Sequence, residues 1–440
     1  MINITDKHNC CGCSACVQKC PKQCISLVED YEGFLYPHVD SELCIDCRVC
    51  ETVCPVINQN EERTPLQTLA AINKDEDVRM QSSSGGIFTV LAEKIINEGG
   101  VVFGARFDEQ WQVTIDYTET IEGLSAFRGS KYVQARTGNT YIQCEQFLKN
   151  GRKVLYSGTP CQIAGLKHYL RTEYDNLITV DVVCHGVPSP KVWRKYLDEV
   201  TSIANVKGVS MRDKIKGWQN YHFTVEYEEN GKNLTLSSPH GENDYMKAFL
   251  KDMILRPSCY QCKVRDLRSE SDITIGDYWG ISGVRPNMND NKGICLVLVN
   301  TEKGKKVFES VDINYEETTF EEGYRGNSAI FRSPTPWFRR QKFFNSLDSS
   351  PSVIGNIRKC LKPTFKMNAI NTYYSLRYLP GRVLHKLYEA IIARDKSAKA
   401  TGRGRLLIIN NLNKHIKLSE IQFRDKATGW YSYRMTIKLK

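Results

Sequence analysis

Two short stretches of this chain carry cysteine at a spacing that packing alone does not ask for. Cys10, Cys13, Cys16 and Cys20 precede Pro21, and Cys44, Cys47, Cys50 and Cys54 precede Pro55, so the phrase Cys-x2-Cys-x2-Cys-x3-Cys-Pro is written twice. Soft thiolates at such spacing suit zinc or an iron–sulfur cubane. Three of them on one tight loop can face inward around a metal centre. The proline, with its fixed φ and no N–H, keeps the local turn from winding on. One copy alone would fit a zinc knuckle; two full copies favour a pair of clusters. Disulfides require an oxidising compartment, and no secretory signal is read that would send the chain there.

The doubled run resembles that of bacterial-type 4Fe-4S ferredoxins, where the fourth Cys of each run reaches across to the other cluster. The resemblance implies that Cys10, Cys13, Cys16 and Cys54 hold one cluster, and that Cys44, Cys47, Cys50 and Cys20 hold the other. Such a unit passes electrons one at a time.

Seven further cysteines lie beyond it. Cys161 follows Gly158-Thr159-Pro160 at the end of a predicted strand. Cys184 ends another, ahead of His185-Gly186, and Cys259 and Cys262 form a Cys-x2-Cys pair after Arg256-Pro257. Ligands gather at the carboxyl ends of strands in open α/β sheets, and four thiols are what a third 4Fe-4S cluster needs. The bland alternative leaves Cys161 and Cys184 as small buried hydrophobes and gives the Cys259 pair to zinc with a His. Cys11, Cys24, Cys144, Cys295 and Cys360 lack partners at ligand spacing and are read as core.

A substrate that exchanges hydride needs a group that turns single electrons into pairs, which flavin does. Ser82-Ser83-Ser84-Gly85-Gly86 stands directly before a predicted helix, where small residues let a phosphate approach free N–H groups. A plain Ser N-cap would look the same. Arg128-Gly129-Ser130-Lys131-Tyr132-Val133-Gln134 sets a cation, an aromatic ring and an amide in one glycine-bearing turn. Gly276-Asp277-Tyr278-Trp279-Gly280 is either the wall of a pocket or ordinary core.

The elements that must position these groups alternate along the chain. Residues 1–62 form the ferredoxin unit, an α+β fold with two short strands in 25–37 around a turn at Gly33, and 58–65 is a polar linker. Strands are predicted at 68–73, Val101–Phe107, 154–156 and 177–183, and helices at Ile87–Asn97, 162–170 and Pro190–Val200. Strands feeding helices in series predict an α/β domain with a substantially parallel sheet, the domain in which a flavin would sit. Its two parts are 66–150 and 151–337, and 209–238 reads as an antiparallel insertion rich in aromatic residues. Residues 338–440 form a basic extension, helical around 373–394.

At 440 residues the chain has room for two or three domains. Its 41% hydrophobic and 25% charged residues exclude a disordered or membrane-embedded class. No stretch approaches the ~20 apolar residues that cross a bilayer, so a cytoplasmic chain is expected, with contact at a membrane surface the variant reading. From Pro351 onward there are 19 Lys and Arg against 4 Asp and Glu, a local balance of +15 that leaves −5 for the rest of a chain of net charge +10. The basic tail is expected to meet an anionic surface or partner.

Six phrases in order resemble the beta subunit of coenzyme F-420-reducing hydrogenase and dehydrogenase. They are Ser83 to Gly86, Gly129 to Gln134, Ser157 to Gln162, Cys184 to Gly186, Cys259 to Cys262 and Gly276 to Gly280. The resemblance runs from about residue 68 to 337 and implies FAD beside a core cluster. It makes Cys161, Cys184, Cys259 and Cys262 the ligands of that cluster, and Ser84, Gly85, Gly86, Lys131 and Tyr132 the flavin pocket. It also implies an oxidoreductase that exchanges electrons between a ferredoxin-like carrier or redox partner subunit and a small-molecule, two-electron substrate. That substrate is a deazaflavin such as F-420 or another organic compound, including one from polysaccharide building. The competing class is an electron-transfer subunit without a substrate site. A nucleic-acid binder with structural clusters is disfavoured, because the basic excess sits at one end and no nucleic-acid motif accompanies it.

Overall fold

Each cysteine run folds as a loop followed by a single helical turn, Ala15–Gln18 and Val49–Thr52. The loops repeat one backbone path. Gly12 and Asp46, just before the second Cys of each run, have φ of 76° and 49°; Ser14 and Arg48, just after it, have 65° and 57°. Left-handed backbone is unfavourable for the three that are not glycine, so this strain recurs wherever the spacing recurs. Between the runs, β1 (Ile25–Glu29) pairs antiparallel with β2 (Leu35–Val39). Gly33 turns the hairpin at φ +88°, and a Cβ there would lie 2.2 Å from that of Lys191, so the turn is pressed against helix Pro190–Val200.

The computed structural model describes residues 1–363 and two strands, 416–425 and 431–439. It divides into two compact units, Met1–Leu361 and Lys362–Lys440. In the first, the strands continue as β3 (Gln67–Asn73), β4 (Val101–Phe107), β5 (Val113–Thr118), β6 (Val154–Gly158), β7 (Leu177–Val182), β8 (Val206–Asp213), β9 (His222–Glu229), β10 (Lys232–Pro239), β11 (Ile273–Asp277), β12 (Cys295–Val299) and β13 (Ile313–Thr318). Eight of them make one sheet in the order β13-β3-β12-β11-β7-β6-β4-β5, while β10-β9-β8 form a separate antiparallel sheet.

The large sheet is mixed, which corrects the expectation of a largely parallel one. Only the centre is parallel: β11 with β7, β7 with β6, and β6 with β4. The flanks, β13·β3, β3·β12, β12·β11 and β4·β5, are antiparallel. Parallel neighbours need a long crossover, whereas antiparallel ones can be joined directly. Only 278–294, with no long helix, links β11 to β12, and a turn at 108–111 joins β4 to β5.

Helix Ile87–Asn97 packs its buried Ile87, Leu91, Ala92 and Ile95 under the sheet and ends before Gly99, at φ +75°. Helix Pro160–Leu170 begins with a capping box of Thr159 and Gln162. Its Gly165 receives the first cysteine loop: a Cβ there would stand 2.8 Å from that of Cys13. Helices Arg340–Asn345 and Val353–Leu361 bury Phe343, Phe344, Ile357 and Cys360 in a core shared with Trp193, Phe223 and Tyr245. The boundary expected after 337 therefore falls inside the first unit. In the second, β14 (Ile416–Asp425) pairs antiparallel with β15 (Tyr431–Leu439). The helical expectation around 373–394 lies outside the described residues. Among the described residues no helix is long and apolar enough to cross a membrane.

Candidate functional site

The thiols gather in three places. Cys20, Cys44, Cys47 and Cys50 line one pocket, joined by Cys24, with Cys47 exposed at its rim. Cys10, Cys13, Cys16 and Cys54 lie further in. Burial, then the neighbouring Cys10, Cys54 and Cys50 thiols, pushes Cys16 up to about 12. Burial likewise raises Cys54, with Cys10 and Cys50 adding to it. Each thiolate formed here would repel the next in a poorly solvated place, which is where a positively charged metal core is most effective. Among the described residues no three His, Cys, Asp or Glu side chains converge on one point tightly enough for a single metal ion. A cubane takes each ligand on a different iron, so a ring of separated thiols around a pocket is the arrangement that fits it.

The third gathering is in the α/β domain. Cys161, Cys184, Cys259 and Cys262 all line one small cavity of about 60 Å³, with Cys11 and Arg265 beside them. Cys161 is carried by the first turn of helix Pro160–Leu170, directly after β6, with Thr159 Oγ1 3.3 Å from its sulfur. Cys184 follows β7. Cys259 sits in the turn Pro257–Gln261 and accepts the Val187 N–H at 3.4 Å; the Cys262 N–H donates to Ser333 Oγ at 3.1 Å. Burial pushes the Cys184 thiol well up, and Cys259, Cys161 and Cys262 add to it while Arg265 opposes. Cys11, expected in core packing for want of a partner at ligand spacing, packs against the core and also lines this cavity. Its thiol interacts with Cys13 on one side and Cys161 on the other. His185 holds Asp252 at 2.6 Å, a structural hydrogen bond.

Adjoining this cavity is a cleft of about 2110 Å³ measured to its open mouth, whose wall again includes Cys11, Cys161 and Cys184. Ser84, Gly86, Lys131 and Tyr132 line it. Gly86, at φ +80°, caps helix Ile87–Asn97, whose first residues also line the cleft. Gly85 does not line it. A Cβ at Gly85 would meet Ala71 O at 2.4 Å and Cys295 N at 2.7 Å, so this glycine lets the loop lie against β3 and β12. The Ser84 hydroxyl donates to Ile294 O, and the Lys131 ammonium turns back onto the carbonyls of Ala126, Arg128 and Gly129. Burial, with Arg106 adding to it, pushes Lys131 down to about 7, against which those three carbonyls favour the charged form.

The strongest fixed charge of the cleft was not legible in the sequence. Arg212, on β8 and 5% exposed, grips Asp277 with Nη1 at 2.8 Å and Nη2 at 2.9 Å. It also donates to Tyr132 Oη at 3.1 Å and lies over the Tyr221 ring at 4.1 Å. Trp218 Nε1 donates to Asp277 at 2.6 Å, and Trp218 stacks on Trp279 at 4.8 Å. Arg212 Nε is buried and without a partner among the described residues. The small residues before the helix, the Arg212 charge and the aromatic rings of Tyr132, Tyr221 and Trp279 are the groups that could receive an anionic aromatic cofactor.

An iron–sulfur unit docked on a mixed α/β domain with a thiol-walled cleft defines the class: an electron-handling protein. Comparison with known proteins gives the family. Residues 9–58 match the family described as 4Fe-4S dicluster domain, and 151–322 the one described as the C terminus of the coenzyme F-420 hydrogenase/dehydrogenase beta subunit. The chain is a 4Fe-4S ferredoxin domain fused to a coenzyme F-420 hydrogenase/dehydrogenase beta-subunit-like domain. It is 24% identical over 223 residues to a subunit of the F(420)H(2) dehydrogenase of Methanosarcina mazei, 47% of this chain and 60% of that protein. The match thus spans less than two thirds of that relative. It is 37% identical over 65 residues to a 7Fe ferredoxin of Hydrogenibacillus schlegelii, 14% of this chain and 77% of that one. A chain of the F-420-reducing NiFe hydrogenase complex from Methanosarcina barkeri matches with 17% identity and a TM-score of 0.42, over 66% of this chain and 95% of its own. At family level the chain is an oxidoreductase-like iron–sulfur protein.

Proposed function

We propose that this protein is a flavin-dependent iron–sulfur oxidoreductase, exchanging electrons between a ferredoxin-like one-electron carrier and a two-electron organic substrate. A deazaflavin of the F-420 type is the substrate that the relatives' names suggest. The observation that carries the reading is the common wall: Cys161 and Cys184 belong both to the four-thiol cavity and to the cleft. Cys10, Cys13, Cys16 and Cys54 would hold one N-terminal cluster, Cys44, Cys47, Cys50 and Cys20 the other, and Cys161, Cys184, Cys259 and Cys262 the third. The N-terminus of helix Ile87–Asn97, Arg212 and Tyr132 would hold the flavin, which supplies conversion between single electrons and pairs. Arg212 and Asp277 fix the charge of the cleft floor, and Trp218 and Trp279 brace it.

A second reading, an electron-transfer subunit serving a separate catalyst, is favoured by the surface at Cys47. Leu43 and Ile45 beside it are 57% and 59% exposed, as a face for another protein would be. A cofactor inventory of anaerobically purified protein decides between them. About twelve irons, the content of three cubanes, and one FAD per chain support the enzyme. About eight irons and no flavin would overturn it in favour of the subunit.

A further inference from the structure

The ferredoxin unit and the α/β domain meet at a buried cation. Arg256 is 0% exposed. Its Nε donates to Cys10 O at 2.8 Å, Nη1 to Gln134 Oε1 at 3.0 Å, and Nη2 to Leu35 O at 2.9 Å and to Cys10 Sγ at 3.4 Å. One face lies over the Tyr36 ring, 4.2 Å away. Among the described residues it forms no ion pair with a carboxylate, and of the four groups that accept its hydrogen bonds only the Cys10 sulfur can carry a full negative charge. Guanidinium does not give up its proton in proteins, and a buried charge needs a counter-charge.

The neighbouring chain is shaped to admit it. Gly12 runs at φ +76°, and a Cβ there would lie 2.6 Å from Gln134 Nε2 and 3.0 Å from Arg256 Cζ, so the glycine lets the first cysteine loop lie close against this hydrogen-bonded pair. Arg256 also stands directly before the turn Pro257–Gln261, which carries Cys259.

Resting on the cluster reading above, we propose that Arg256 is a positioning residue that sets the reduction potential of the cluster held by Cys10. Adding one electron to that cluster, from a low-potential one-electron donor and with no proton taken up, makes it more negative. A fixed cation with an N–H on the ligating sulfur stabilises that reduced state and raises the potential. The outer cluster has no such partner, since Cys47 is exposed and no charged side chain donates to the Cys44, Cys47 or Cys50 sulfurs among the hydrogen bonds of the described residues. Electrons arriving at the rim are thereby drawn inward.

The test is an anaerobic redox titration of the full-length protein with dithionite, followed by electron paramagnetic resonance, for wild type, Arg256→Gln and Arg256→Lys, with iron and sulfide measured on each. Arg256→Gln is expected to move the midpoint of the Cys10 cluster negative by at least a tenfold change in the oxidised-to-reduced ratio, 59 mV for one electron, with a smaller shift at the core cluster, whose Cys259 and Cys161 thiols also feel this cation, and none at the outer one. Arg256→Lys keeps the charge but not the fork, and is expected to fall between. If Arg256→Gln loses iron, the Lys variant alone decides, by a negative shift or none. Full iron content with unmoved midpoints overturns the proposal while leaving the cluster reading intact. Wild-type protein lacking labile sulfide overturns both.

Discussion

Glu32 and Arg340, 308 residues apart in sequence, form a buried two-pronged ion pair, with Nη1–Oε1 at 2.8 Å and Nη2–Oε2 at 2.5 Å. Glu32 lies in the turn between β1 and β2; Arg340 opens helix Arg340–Asn345. The same guanidinium donates to Leu255 O and to the hydroxyl of Tyr260, the residue after Cys259. One side chain thus fastens the ferredoxin hairpin to the turn bearing the Cys259 pair. Arg340→Ala would leave a carboxylate buried without its partner, at a cost of about 3–5 kcal/mol. Denaturant unfolding under anaerobic conditions checks this, and a loss below about 1 kcal/mol would show that water reaches Glu32 after all.

The core thiols allow a stoichiometric test. Cys161→Ala should lower iron from about twelve to about eight per chain, since one cubane holds four, and should abolish turnover. The resonance signals of the two N-terminal clusters should persist. Unchanged iron with normal activity would remove Cys161 from any ligand set.

In the cleft, Arg212→Ala takes away the two-pronged partner of Asp277 and its charge at the cleft wall. Flavin retention should weaken at least tenfold, about 1.4 kcal/mol, with iron content unaltered. Flavin release measured by fluorescence on dilution is the readout. Retention equal to wild type would mean that the flavin sits elsewhere.

Asp181, on β7 and 1% exposed, has its carboxyl pushed up to about 6 by burial, with Ser269 opposing through a hydrogen bond. Its Oδ1 has no partner among the described residues, which suits a protonated group. The folded value exceeds the unfolded one of about 3.9, so the folded state holds a proton that the unfolded chain releases. The stabilisation is therefore complete below about pH 4 and lost as pH rises through 6, up to about 3 kcal/mol in all. Asp181→Asn should lack this slope. Unfolding free energies at pH 5 and 7.5 give the comparison, and parallel slopes for the two proteins would refute it.

Local elements are legible where the chain marks its own ends. Helix Ile87–Asn97 is bounded by Gly86 and by the glycines at 99 and 100, and Pro190–Val200 by Ser189 and its leading proline. Both match their expected bounds to the residue. β12 is not legible, because every residue from Cys295 to Val299 is buried and alternation vanishes. Its antiparallel place beside β3 joins residues more than 200 apart, which no local pattern records. Spacing alone suffices to group the thiols. It does not suffice for Arg212 with Asp277, 65 residues apart, or for Arg256 with Cys10, 246 apart. Each is a lone Arg in a strand or loop, and only the fold says what it faces.

The wall shared by the four-thiol cavity and the cleft has a consequence for handling the protein. Cys161 and Cys184 separate the two spaces by the thickness of a side chain, and the cleft opens to solvent. Whatever fills the cleft would then lie directly against two thiols of any cluster held in the cavity. Supplying that occupant during purification should therefore slow the loss of iron in air relative to protein that has shed it.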